Sequence, residues 1–197
     1  MEITLETYEW DSTWIEQTGK RDAIRALYIG DSISNVTRGY ATRASGNTIL
    51  FDGLGTSKAV DNPYFCETVK LFANQQSSRN VILFNNGLHG PHLNDETEYK
   101  RHYERMLKFL LEEFKGTPVI LILSTATAEP ERDERVVRRN LAVTELAEKY
   151  GLDVIDFYSV TKPRPELLCE DGIHFTPEGY ELLGKELYTK VKELLNL

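Results

Sequence analysis

Ala26-Leu27-Tyr28-Ile29-Gly30-Asp31-Ser32-Ile33-Ser34 is an apolar run that stops abruptly at Gly-Asp-Ser. A run without polar alternation suits a strand buried on both faces, as in a parallel sheet covered by helices. Its carboxyl end delivers the Ser32 hydroxyl to the crevice where open α/β sheets hold their ligands. Position alone leaves two chemistries open. The turn can place a nucleophile, or it can hold an anion on backbone N–H groups as phosphate-binding turns do.

Four further runs share this character: Thr48-Ile49-Leu50-Phe51, Val81-Ile82-Leu83-Phe84, Val119-Ile120-Leu121-Ile122-Leu123 and Val154-Ile155. Helical patterns lie between them. Asn62-Pro63 reads as an N-cap with proline at the first helical position, leading into an apolar face of Phe65, Val69 and Phe72. From about Asp95 to Lys115 one stripe carries Tyr99, Tyr103, Met106, Leu110 and Phe114. A third helix runs from about Glu131 to Tyr150 with Val136, Val143, Ala147 and Tyr150 inward, and Gly151 stops it. Thr176-Pro177-Glu178 opens the last, which buries Leu183, Leu187, Val191 and Leu194. Strand–helix alternation predicts a three-layer α/β/α sandwich, flavodoxin-like, around a central, mostly parallel five-stranded sheet.

Residues 23–197 are expected to form one domain, a length and 41% hydrophobic content that suffice for a single full core. Residues 1–22 show neither helical nor strand period and read as an irregular arm packed on that body. Within the arm, Trp10 and Trp14 are expected to cover the core rather than to stack on substrate. The stretch from Val160 to Glu170 reads as a surface loop at the rim of the site.

The formal net charge of −8 and a pI near 5.1 argue against nucleic acid as a partner. The basic cluster Arg132, Arg135, Arg138 and Arg139 alternates with Glu131, Asp133 and Glu134, the pattern of a solvated helix face. No apolar run approaches the roughly 20 residues of a membrane span, and the polar first residues do not resemble a signal peptide. Cys66 and Cys169 stand apart, as reduced, partly buried thiols do. These features make a cytoplasmic location and no membrane partner the expectation.

The second informative stretch is Glu170-Asp171-Gly172-Ile173-His174-Phe175-Thr176-Pro177-Glu178-Gly179-Tyr180. A serine hydroxyl needs a base to take its proton, and the base works best when a third group fixes its tautomer. Asp171 and His174 supply both types, three residues apart, just before a capped helix. Taken alone, an Asp and a His at that spacing are equally well a helix cap and a surface imidazole. Together with Gly30-Asp31-Ser32 at the first strand's end, the pair closely resembles the SGNH (GDSL) hydrolases in motif order and in strand–helix alternation, from about Ala23 to the C-terminus. That resemblance implies a serine esterase with Ser32 as nucleophile, His174 as general base and later acid, and Asp171 orienting it, with no metal or organic cofactor.

It also implies an oxyanion hole built from the Ser32 N–H, a glycine N–H after the second strand and an asparagine side chain after the third. Phe51-Asp52-Gly53-Leu54-Gly55 offers Gly53 or Gly55, with Gly55 preferred. Phe84-Asn85-Asn86-Gly87-Leu88-His89-Gly90 departs from the family pattern: aligned on Gly87, His89 stands where asparagine is expected, with Asn85 and Asn86 just before it. An imidazole N–H donates as an amide does, so Asn85, Asn86 and His89 all remain candidates. His89 and His92 lack the further ligands of a metal site, His102 reads as structural, Asn35 as a cap of the following helix, and Asp31 as a turn-fixing acceptor.

The expected substrate is a small-molecule ester, first of all an O-acetylated sugar. A lysophospholipase or thioesterase of the same family is the alternative, and a non-catalytic anion-binding α/β module is the reading from a different class.

Overall fold

Each apolar run becomes a strand of one sheet in the computed structural model, which describes residues 5–197. In chain order the strands are β1 (Asp11–Trp14), β2 (Ile24–Gly30), β3 (Ile49–Thr56), β4 (Val81–Phe84), β5 (Val119–Leu123) and β6 (Asp153–Asp156). They lie side by side as β1-β3-β2-β4-β5-β6. The five expected strands are mutually parallel, and β1 pairs antiparallel with β3, from Asp11↔Thr56 to Trp14↔Gly53.

Among the described residues the sheet therefore has six strands rather than five, and the extra one comes from the arm expected to be irregular. All four β1 residues are exposed, so no buried face imposes an alternating pattern on the sequence. Residues 1–4 of the arm lie outside the described residues. Trp14, expected to cover the core, is 54% exposed, with the Arg38 guanidinium 5.0 Å from its ring centre.

The helices are α1 (Ser32–Ala44), α2 (Phe65–Ala73), α3 (Glu96–Glu113), α4 (Pro130–Tyr150), α5 (Phe157–Thr161) and α6 (Pro177–Leu194). Strand residues alternate between two cores because successive side chains point to opposite faces. Leu27, Ile29, Ile82, Phe84 and Leu121 pack under α2, α3 and α4. Ala26, Tyr28, Leu83, Ile120 and Ile122 pack under α1 and α6. On that second face Gly184 lets α6 press onto α1. A Cβ there would stand 2.6 Å from the Tyr40 Cβ and within 2.9 Å of the backbone at Tyr40 and Ala41.

Two helix boundaries differ from the sequence reading. Asn62 does not cap α2: its Oδ1 accepts from the Tyr64 N–H at 2.9 Å, forming a turn that delays the helix to Phe65. Asn35 lies inside α1, and the cap is Asp31. The stretch after Val160 is shorter of loop than expected, since α5 reaches Thr161 and a 3₁₀ turn spans Pro165–Leu167.

At the amino end of β2, Arg25 and Asp52 form a fully buried ion pair, with N–O distances of 2.9 and 3.0 Å. The other arm of the guanidinium donates to the carbonyls of Glu16, Gln17 and Lys20, and Asp52 also accepts from the Glu16 N–H and from Gln76. The pair thereby ties the segment after β1 to the sheet. At the other end the chain leaves β2 toward β3 on one side and later returns to β4 on the other. The carboxyl end of β2 is thus the topological switch point, where open α/β sheets form their crevice.

Candidate active site

Ser32 is the first residue of α1 and sits at that switch point. Asp31 accepts the Ile33 N–H on Oδ1 at 2.9 Å, and the Ser34 hydroxyl donates to the Asp31 carbonyl at 2.6 Å, so the turn is fixed from both sides. Gly30 permits the tight passage from strand to helix, since a Cβ there would lie 2.7 Å from the Ser34 Cβ. As a first-turn residue Ser32 has no intrahelical acceptor for its N–H. Its N–H meets no acceptor among the described residues.

The loop carrying Asp171 and His174 is a short antiparallel turn, bridged at Leu168↔Phe175 and closed by the Cys169 N–H on the His174 carbonyl at 2.7 Å. Gly172 allows it to bend. Its φ of +68° is a left-handed conformation, and a Cβ would meet that of Ala128 at 2.7 Å. Asp171 Oδ1 accepts the N–H groups of Ile173 and His174, both at 2.9 Å, which aims Oδ2 at the imidazole. Thr176 then caps α6 through the Gly179 N–H, holding the loop on a rigid base.

These two motifs, 142 residues apart in sequence, meet in one hydrogen-bonded chain. His174 Nδ1 lies 2.6 Å from Asp171 Oδ2, and its Nε2 lies 2.7 Å from Ser32 Oγ. A carboxylate only accepts, so Nδ1 carries the proton donated to Asp171 and Nε2 is left to accept from the serine hydroxyl. The His174 bond, with help from the two backbone N–H groups, holds the Asp171 carboxyl down at about 2. The Asp171 and His174 side chains are 49% and 39% exposed, so the site opens directly to solvent.

The remaining sequence candidates separate by what already holds them. Gly53 and Gly55 both lie inside β3, flanked by β1 and β2, rather than in the loop after it. Gly55 is level with Gly30 at the strand end, whereas Gly53 pairs with Tyr28, two residues deeper. Asn85 donates its amide to the Ile122 carbonyl at 2.7 Å and the Ser124 hydroxyl at 3.0 Å. Asn86, also buried, donates to the Lys58 carbonyl at 2.8 Å, while its own carbonyl accepts from the Tyr99 hydroxyl. The Asn85 amide is thus fully engaged, whereas Asn86 has one N–H bonded to the fold. Among the three side-chain candidates, His89 alone keeps its ring at the protein surface, 23% exposed.

His89 is instead approached by the N-terminal arm. Its Nδ1 lies 3.4 Å from Glu6 Oε1, which also accepts the Gly90 N–H at 2.7 Å, and its ring meets that of half-buried Trp10 edge-on at 6.1 Å between centres. His92 pairs separately with Asp61 at 2.8 Å. Beneath the loop lies Arg139, and here the solvated-face reading of the α4 cluster fails. Arg139 is 1% exposed and donates to the carbonyls of Gly87, His89, Gly90 and Leu93. No sequence signal separated it from Arg138, one residue away and paired with Glu134 and Glu96 at the surface. Asn35, expected to cap the helix, instead lies one turn after Ser32, with its amide against the α-carbon face of Gly55.

Residues 28–182 match the sequence profile of the GDSL-like lipase/acylhydrolase family. The chain belongs to this family. Solved structures of acylhydrolases and esterases share its fold. One is a lipase/acylhydrolase from Enterococcus faecalis, 20% identical, TM-score 0.70, covering 87% of this chain and 96% of that one. Another is an acetyl xylan esterase, 17% identical, TM-score 0.67, covering 85% and 100%. A third is a carbohydrate esterase family 3 protein from Talaromyces cellulolyticus, 14% identical, TM-score 0.68, covering 88% and 98%. No protein of curated function matches the sequence. The family profile begins at Tyr28, so Glu6 and Trp10 of this GDSL hydrolase lie outside it. Among the described residues no helix is long and apolar enough to cross a membrane.

Proposed function

We propose that the chain is a serine esterase that hydrolyses short-chain esters through an acyl-enzyme, with an O-acetylated carbohydrate as substrate. The observation that carries this reading is the hydrogen-bonded sequence Asp171–His174–Ser32, at 2.6 and 2.7 Å. His174 Nε2 takes the Ser32 proton as the oxygen attacks the ester carbonyl, and Asp171 stabilises the imidazolium that forms. His174 returns the proton to the leaving alcohol, and a water then repeats the sequence to release the acid. The oxyanion rests on the Ser32 N–H and on an N–H of the His89 ring, with Gly55 at the adjoining strand end as the backbone candidate. Asn85 is set aside because both N–H groups of its amide are engaged, and Asn86, buried and holding the Lys58 carbonyl with one of its two N–H groups, ranks behind His89.

Two features support a carbohydrate ester. The site is open, as an ester with a polymeric or bulky alcohol portion requires, and the Trp10 ring beside His89 offers an apolar face to a sugar. An acetyl xylan esterase and a carbohydrate esterase share the fold.

The test is Ser32→Ala, assayed with an aryl acetate and with a fluorophosphonate probe. Turnover is expected to fall by on the order of 10⁴-fold or more, with labelling lost. Undiminished turnover overturns the mechanism. Acyl chain length decides the substrate: a preference for chains longer than acetyl points to the lysophospholipase or thioesterase reading instead. Thermal stabilisation by inorganic phosphate, with Ser32 unreactive toward the probe, points to an anion-binding module.

A further inference from the structure

Arg139 is a cation in an unusual setting. It is buried on α4, among the described residues it has no carboxylate within ion-pair distance, and its guanidinium stacks over Tyr99 at 4.5 Å from the ring centre. Four backbone carbonyls take its N–H groups: Gly87 at 3.0 Å, His89 at 2.6 Å, Gly90 at 2.6 Å and Leu93 at 3.0 Å. All four belong to the loop after β4. Tyr99 adds a fifth hold through its hydroxyl on the Asn86 carbonyl.

The peptide groups here are planar and trans, so each carbonyl turned toward Arg139 turns the N–H of the next residue the opposite way. The Gly90 N–H shows this, leaving the arginine side to meet Glu6. The loop adjoins the nucleophile turn, since Leu88 lines the same small cavity as Asp31 and Ile33, the residues on either side of Ser32. For stability alone such an arrangement is poor. Burying an arginine without a carboxylate costs more desolvation than burying an apolar side chain of similar size. What the planar guanidinium provides is a rigid fork of donors that fixes several carbonyls at once, which neither an apolar group nor a lysine does.

We propose that Arg139 is a positioning residue for the esterase site, holding the Gly87–Gly90 backbone in the shape that presents His89 to the oxyanion. The proposal rests on the esterase reading above and assigns Arg139 no contact with substrate. Its effect on catalysis runs through His89, and this separates it from a merely structural residue.

The experiment is a double-mutant cycle of Arg139→Lys and His89→Ala in the full chain, with kcat and KM for an aryl acetate measured below each variant's melting range. Arg139→Lys is expected to lower kcat by on the order of 10²-fold, the scale of one lost oxyanion donor, with KM within about threefold of the parent. His89→Ala is expected to do the same. The double variant should be no slower than His89→Ala alone. Losses that multiply, or an Arg139→Lys variant with parental kcat, overturn the proposal. If Arg139→Lys does not fold, the cycle is read on Tyr99→Phe, which removes only the hold on Asn86. A several-fold kcat loss that disappears in the His89→Ala background is expected there, and a loss that persists overturns the proposal. Failure of the esterase reading is distinct, because it shows as Ser32→Ala retaining activity.

Discussion

The two ends of the sheet each bury an arginine, and they use it differently. At the amino end Arg25 faces a carboxylate, Asp52, and the pair closes the segment 16–20 against β2 and β3. At the carboxyl end Arg139 faces carbonyl dipoles and the Tyr99 ring rather than a carboxylate, under a loop beside Ser32. The amino end carries a matched charge pair, and changing it should alter stability and leave chemistry alone. The carboxyl end carries an unmatched cation whose hydrogen bonds hold the loop after β4, and on the proposal above changing it should alter chemistry first. Burial by itself does not tell the two roles apart. The identity of the partners does.

The largest stability effect is expected from breaking the matched pair. Arg25→Met leaves the Asp52 carboxyl buried without its cation, a change worth about 3–5 kcal/mol. Denaturant unfolding should show the midpoint lowered with an unchanged slope, while kcat per folded molecule stays at the parental value. A fall in kcat comparable to that of Arg139→Lys would erase the contrast between the two ends.

A smaller loss is expected where the contrast does not apply. Gly184→Ala sets a methyl group against the Tyr40 and Ala41 backbone, on the face of the sheet away from Arg139. Overpacking of this kind costs about 1–3 kcal/mol. A thermal melt should show the loss, with the esterase parameters unaltered below the transition.

The smallest effect belongs to the site itself. The Asp171 carboxyl is held at about 2 by His174 and two backbone N–H groups, against about 3.9 in an unfolded chain. Its folded value is lowered, so its contribution to stability is present above about pH 4 and is lost as pH falls toward 2. Because the side chain is half exposed, that contribution is at most about 1 kcal/mol. The difference in urea midpoint between parent and Asp171→Asn should therefore shrink between pH 5 and pH 2.5. A difference that stays constant over that range would mean the carboxylate is not held by these bonds.

The parallel strands were legible because each is a short apolar run, and the helices because their stripes and caps repeat at helical spacing. β1 was not, since an exposed edge strand needs no apolar face and is defined by its neighbour β3. Ser32, Asp171 and His174 were singled out because each sits in a local motif, a strand end or a four-residue loop, whose chemistry is readable before its partner is found. The third oxyanion position was not legible. Asn85, Asn86 and His89 stand within five residues, and only the hydrogen bonds of the two amides to Ile122, Ser124 and Lys58 set them apart. Arg139 was misread for a related reason, since mixed charge along α4 looks solvated until the loop from β4 is laid across it.

The sequence by itself determined the layered α/β architecture, the serine at the end of β2 and the acid–base pair before α6, because periodicity, caps and short motifs are local properties of the chain. The tertiary structure alone decided that Ser32 and His174 stand 2.7 Å apart, that Asn85 and Asn86 are buried, and that one arginine of a charged helix is buried under the loop after β4. Those outcomes depend on which distant groups meet, and a hydrogen-bond partner from another strand leaves no mark on the residue that receives it.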